Sequence, residues 1–550
     1  MNFSNRFNPK LTRHIAEIIS QTNGITLDDT LDLMLSSDLR DTAPEIHACV
    51  GEFKELLERF LTARVDLNAL LEHPFAAGLY HFFRAFPLPY REEHIHLTGS
   101  LAPDFIYPRI RALLDGPNGA AVAQKIESVY GPGSARIESP EDVANLVVLK
   151  DDERFDRYLQ ILMLPKLILT SREAHREAAY HMASTLFHKY NVGNIRLKFT
   201  LSRATANESE TIPGLETLTS EDVALGLYEG FADFKREQPV FEFILSPCFR
   251  KEPEFFDHTR FDSKHEAVLD QINTILDLLE KYPFLRDHLR EVDTVGNERN
   301  FYRKAHFKDM HQGFRKLQYY GFQVRSHHGE TWKNLRCGIQ AVDNAMNIWH
   351  INCLEHGLSL GINPNFYFHS MYQRVLKWNA KGEAIRPNTI EYNEIKDMPW
   401  NDREHVRDML LRGERLSPED IRLFTKVKFH TAREIEHYQH DVLNRMIHKK
   451  VSLMSLPSSN YKLTAAIDDY KDHPFSWWEK KGVKLGVGTD NYITLNTDFL
   501  QEMLILLFTD PFGLKITKLL MITTGEERRP YISHLLWKMN TPLDERLSGT

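Results

Sequence analysis

Apolar residues follow two rhythms along this chain. Up to about residue 88 they recur at helical spacing: "EFKELLERFLTARVDLNALLEH" sets Phe53, Leu56, Leu57, Phe60 and Leu61 on one stripe. That is the pattern of a helix packed by one face. No cluster of catalytic residue types stands out in residues 1–88, so they are expected to form a helical extension, packed on the main body or on another subunit. From about residue 89 the texture changes to short β-like runs separated by long helical stretches. After a first run around 92–100 come "NIRLKFTLS" (194–202), "VFEFILSPC" (240–248), "LREVDTVG" (289–296) and "FQVRSHHG" (322–329). "INCLEHG" (351–357), "VSLMSLP" (451–457) and "VKLGVGTD" (483–490) continue the series. Strands alternating with helices predict an α/β protein with a parallel sheet, and this many units predict a (β/α)8 TIM-type barrel over 89–550. One connection, from 358 to 450, is too long for that pattern. Within it Ser417 is placed as an N-cap, with Pro418 at the first helical position and Asp420 reaching back. Roughly 365–440 therefore reads as a helical insertion, either structural, oligomeric or a lid over the mouth.

Barrels of this kind do their chemistry at the carboxyl ends of the strands, and polar residues cluster at those ends here. In "EEHIHLTGS" (92–100), His94 and His96 alternate and a turn through Thr98, Gly99 and Ser100 follows. Alternate strand residues share a face, so the two imidazoles aim at one point, as a metal ion requires. With 26 His in 550 residues the pair alone is weak, and a solvated or hydrogen-bonded pair is the competing reading. "HHGE" (327–330) sets Glu330 three residues after His327, across Gly329; as a bare pattern it is also a surface turn. "LEHG" ends the next run with His356, and one helix, 334–349, fits between His327 and His356. "GVGTDN" ends in Asp490, a position where Asp is commonly only a turn residue or helix cap. A barrel gathers these ends around one mouth. Three imidazoles and a carboxylate suit Zn²⁺, with Fe²⁺ or another divalent ion also compatible. His328, beside His327, reads as a substrate contact or a solvated residue, and solvation is the expectation.

Composition narrows the classes. A net charge of −8 argues against stable nucleic-acid binding, which needs a basic face. Four scattered cysteines, Cys49, Cys248, Cys337 and Cys353, predict free thiols in a reducing compartment. "MNFSNRFNPKLTRH" lacks the apolar core of a secretory signal, and "MLILLF" (503–508) is too short to cross a bilayer. A cytoplasmic protein without a membrane partner is the expectation.

The quoted motifs, in their order, resemble those of the adenosine and AMP deaminases of the metal-dependent amidohydrolase superfamily, over about residues 89–510. "HIHLTGS" resembles the family's first-strand motif, implying His94 and His96 as zinc ligands. "REVDTVGNE" is similar to its glycine-bearing strand, implying Gly296 against the purine. "HHGE" implies His327 as a further ligand and Glu330 as catalytic acid; "LEHG" implies His356 beside the attacking water. "LPSSN" (456–460) resembles the segment before the last strand, and "GTDN" implies Asp490 as the carboxylate ligand. Two positions depart from the pattern. Adenosine-specific members carry an acid where this chain has Thr98, so the ribose contact is lost and with it a charge that would repel a 5′-phosphate. Asn491 replaces a second Asp that helps to hold the purine. The resemblance implies one Zn²⁺ per chain and hydrolytic deamination of an adenine nucleoside or nucleotide. A different amidohydrolase, with two metals, and a catalytically silent purine-binding or assembly barrel share the same frame. A homo-oligomer built through the extra helices is the expected assembly.

Overall fold

A computed structural model describes residues 8–21, 24–201, 218–464 and 466–525. The end of the predicted barrel segment, 526–550, lies outside the described residues. Eight parallel strands succeed one another in chain order: β1 (Tyr90–His96), β2 (Val192–Phe199), β3 (Glu242–Arg250), β4 (Glu291–Val295), β5 (Gln323–His328), β6 (Cys353–His356), β7 (Ser452–Ser455) and β8 (Leu485–Val487). The strands lie between helices outside and side chains within, and burial on both faces is clearest in β3, where every residue from Phe243 to Phe249 is buried.

The seam between β8 and β1 is closed just beyond β8. Ile95 and Asp490 form a parallel bridge, with Asp490 N–H donating to His94 O at 2.9 Å and His96 N–H to Asp490 O at 2.8 Å. Glu92 reinforces it, accepting Thr489 N–H at 3.0 Å, the Thr489 hydroxyl, and Tyr492 OH at 2.9 Å. These bonds carry Asp490 from a strand-end loop to the side of both first-strand histidines.

Residues 334–349 form an α-helix, Leu335–Asn344, capped by Asn334, and then a π turn, Ala345–Trp349. Between β6 and β7 lie helices Pro364–Lys381, Ile390–Asp397, Glu404–Arg412 and Pro418–His448. Ser417 caps the last of these with Pro418 first and Asp420 completing the capping box. Gln439 Nε2 ties that helix to the loop after β6, donating to Ser359 O at 2.8 Å and Ile362 O at 2.9 Å. Among the described residues, six helices precede β1, from Pro9–Gln21 to Pro74–Arg84. Phe53, Leu57 and Phe60 of the predicted stripe are buried and belong to one hydrophobic core continuous with that of the barrel. Phe53 packs on Phe508, and Tyr80 OH donates to Asp498 at 3.2 Å. All four cysteines are free, and among the described residues no helix is long and apolar enough to cross a membrane.

Candidate active site

At the carboxyl end of the barrel three imidazoles converge. His94 Nε2 lies 3.1 Å from His96 Nε2, which lies 3.2 Å from His327 Nε2. Asp490 Oδ1 is 3.5 Å from His96 Nε2 and 3.9 Å from His94 Nε2. A register shift in β1 between Glu92 and Ile95 adds one residue, the kind of bulge that re-aims side chains beside a site. Asp490 and His356 both sit in the left-handed region at φ 65. That conformation costs a non-glycine residue about 1–3 kcal/mol and survives where surrounding structure over-determines it.

Outer partners fix the rings. His94 Nδ1–H donates to Glu355 Oε2 at 2.7 Å, and His327 Nδ1–H donates to Asp293 Oδ1 at 3.1 Å. Both rings therefore present an Nε2 lone pair to the same point, the tautomer that a ligand imidazole takes. Burial holds His94 in the neutral form, down at about 3 against the opposing pull of Glu355. Burial likewise keeps His96 and His327 well below the usual histidine range. Lone pairs facing one another at such distances repel unless a cation lies between them, so the donor set fits a divalent ion. Asp490 is pushed up to about 7 by burial, with His356 opposing and Glu330 adding to the rise; Ser459 Oγ donates to its Oδ2 at 2.6 Å.

Beside this cluster stand Glu330 and His356. Glu330 is 4% exposed and pushed up to about 8, first by burial and then by the charge of Glu298. Glu298 accepts the backbone N–H groups of Gly329, Glu330 and Thr331 at 3.1, 2.6 and 2.8 Å, which holds the turn carrying Glu330. His356 Nδ1–H donates to Asn460 Oδ1 at 2.9 Å, leaving Nε2 aimed inward, 3.8 Å from Glu330 Oε2 and without a protein hydrogen bond.

A cavity of ≈ 450 Å³ opens onto these groups. His96, Thr98, Gly296, His327, Glu330, His356 and Asp490 all line it. Gly296 has φ +105, and a Cβ there would lie 2.3 Å from the Glu252 carboxylate, so only glycine brings the backbone to the wall. Asn491 is placed differently: it packs behind the wall, donating from Nδ2 to Tyr158 OH and to Asp490 Oδ1, each at 2.5 Å. A Cβ on Gly99 would lie 1.7 Å from its Oδ1, which explains the glycine after Thr98. No described residue from 365–440 lines the cavity; helices Phe155–Ile161 and Met163–Leu167 supply Phe155, Tyr158, Leu159 and Met163 instead.

The expected solvation of His328 is wrong. It is fully buried, its Nδ1 2.6 Å from Ser326 Oγ and its ring packed on Phe307 and Trp349. The reason is strand alternation: His327 faces the barrel interior, so His328 faces outward. The outer face of a barrel strand is covered by helices. The motif reading also left Tyr158, Asp293, Glu298, Glu355 and Lys198 without roles. A signal for three of them is present, because Lys198, Asp293 and Glu355 are charges within predicted barrel strands, where burial requires pairing.

Compared by sequence, the chain matches no family model and no curated protein. Among solved structures it is similar to deaminases. One is an adenine deaminase from Arthrobacter aurescens: 13% identity over 84% of this chain and 96% of that one, TM-score 0.46. Another is the N6-methyl-AMP deaminase from Arabidopsis thaliana: 12% identity over 83% of this chain and 98% of that one, TM-score 0.46. At these values the chemistry has to be read from the side chains themselves.

Proposed function

We propose that the protein is a zinc-dependent aminohydrolase that replaces the exocyclic amine of an adenine nucleoside or nucleotide by water, giving the hypoxanthine product and ammonia. One observation carries the reading. The imidazoles of His94, His96 and His327 and the carboxylate of Asp490 converge on a point beside His356 and the buried carboxyl of Glu330, and all of these but His94 line one cavity.

His94, His96, His327 and Asp490 would hold one ion per chain. A divalent ion in such a site supplies a nucleophile near neutral pH by acidifying water. Attack on an adenine-type ring breaks its aromaticity, so the ring nitrogen beside the amine-bearing carbon needs a proton as electrons arrive. Glu330, protonated below about 8, is the donor for that nitrogen. The inward-facing Nε2 of His356, its lone pair free while Nδ1–H donates to Asn460, accepts a hydrogen bond from the attacking water and orients it. Phe155, Leu162, Phe199 and Val295 line the cavity and keep bulk water from the base. Gly296 lets the base lie against backbone, and neutral Thr98 at the wall is compatible with a phosphorylated ribose.

The test pairs metal content of the purified protein with the ultraviolet change from adenine to hypoxanthine, over adenosine, deoxyadenosine and their monophosphates. About one divalent ion per chain with ammonia release from one of these supports the proposal. A protein that takes up no divalent ion, or binds two and releases no ammonia from any of them, refutes it.

A further inference from the structure

We infer that Lys198 is a positioning residue for the metal centre, the single cation that holds both carboxylates orienting the ligand imidazoles; this rests on the metal reading above. Lys198 sits on β2, wholly buried, with its Nζ 2.8 Å from Asp293 Oδ2 and 3.1 Å from Glu355 Oε1. The other oxygen of each carboxylate takes an imidazole: Asp293 Oδ1 accepts from His327, and Glu355 Oε2 accepts from His94. The contact to Glu355 is a hydrogen bond, whereas that to Asp293 is an ion pair outside hydrogen-bond alignment. One ammonium therefore braces two arms of the centre at once.

The charge has a reason to be there. An imidazole is oriented well by an ionised carboxylate, and two buried carboxylates side by side are unfavourable without a cation between them. Lys198 lines the cavity, but its ammonium is engaged by the two carboxylates, so it acts through them and not on a substrate. The two arms are not equally protected. Glu355 is also paired with Arg325, whereas among the described residues Lys198 is the only lysine or arginine paired with Asp293. Loss of Lys198 should thus leave the His94 arm braced by Arg325 and release the His327 arm.

The experiment titrates metal-free wild type, Lys198→Met and Lys198→Arg with Co²⁺. It reads the visible d–d bands and the affinity against a competing chelator, with thermal unfolding of the metal-free proteins as the fold control. Lys198→Met is expected to fold and to bind Co²⁺ roughly 10–100-fold more weakly with altered bands, the usual effect of losing an outer-shell partner. Lys198→Arg is expected to recover part of that loss. Lys198→Met that folds and matches wild type in affinity and bands overturns the inference, as does an arginine variant as weak as the methionine one. Should Lys198→Met not fold, Lys198→Gln tests the same contact. It keeps a donor for a carboxylate and drops the charge, so weakened binding supports the inference and wild-type binding overturns it. Wild type that takes up no Co²⁺ refutes the metal reading itself.

Discussion

The cavity has two walls of different construction. One comes from strand ends on β1, β5 and β6 and the loop after β8, where His94, His327, His356 and Asp490 are each held by a further hydrogen-bonded group. The other comes from the short helices Phe155–Ile161 and Met163–Leu167. Phe155, Tyr158, Ile161 and Leu162 there form a small hydrophobic cluster with Leu149, Leu463 and Leu495, separate from the main core. In the proposed function the chemistry, which tolerates little error, falls to the rigid frame, and shape recognition, which tolerates more, falls to side chains that a few apolar contacts hold in place.

That contrast is open to tests of decreasing size. His327→Ala should abolish metal uptake and activity together, checked by metal analysis and ammonia release; retention of the ion would mean that the strand wall is not the metal site. Glu330→Gln should keep the ion and lose roughly 10²–10⁴-fold in kcat, the usual worth of an acid–base group. Unchanged kcat would remove Glu330 from the mechanism. Because Glu330 is raised to about 8, its proton is present below that pH and lost above it, so kcat should fall as pH rises through about 8. Glu298→Gln removes a charge that raises Glu330 and should move this alkaline limb to lower pH; a pH–rate profile shifted upwards would contradict the assignment. On the helical wall, Tyr158→Phe should change KM more than kcat, read from steady-state kinetics; a pure kcat loss would place that wall in the chemistry. The smallest effect is expected far from both walls. Ser417→Ala should cost about 1 kcal/mol of stability, the typical worth of an N-cap, with kinetics unchanged.

Much of the strand wall was legible beforehand. The runs around β1 to β8 lie within a few residues of the observed strands, because short β-like runs set between long helical stretches mark each strand locally. His94, His96, His327, His356 and Asp490 were found because each ends or closely follows such a run. The Ser417–Asp420 capping box was equally visible, being a pattern four residues long. His328 was misplaced because adjacency to a site residue suggested the mouth, while strand alternation sends neighbours to opposite faces. Tyr158 offered no local sign, since its helix is short and its hydrogen bond reaches Asn491 across most of the chain.

The chain by itself determined the alternation of strands and helices, the chemical types at the strand ends and the polar inventory of the mouth. All of these are local, set by side-chain period and by turn residues a few positions apart. Only the tertiary structure decided which carboxylate braces which imidazole, that Lys198 lies between two of them, and that helices 155–167 rather than the 365–440 insertion wall the cavity. Those pairings join residues far apart in sequence, and closing the barrel is what brings them within reach of one another.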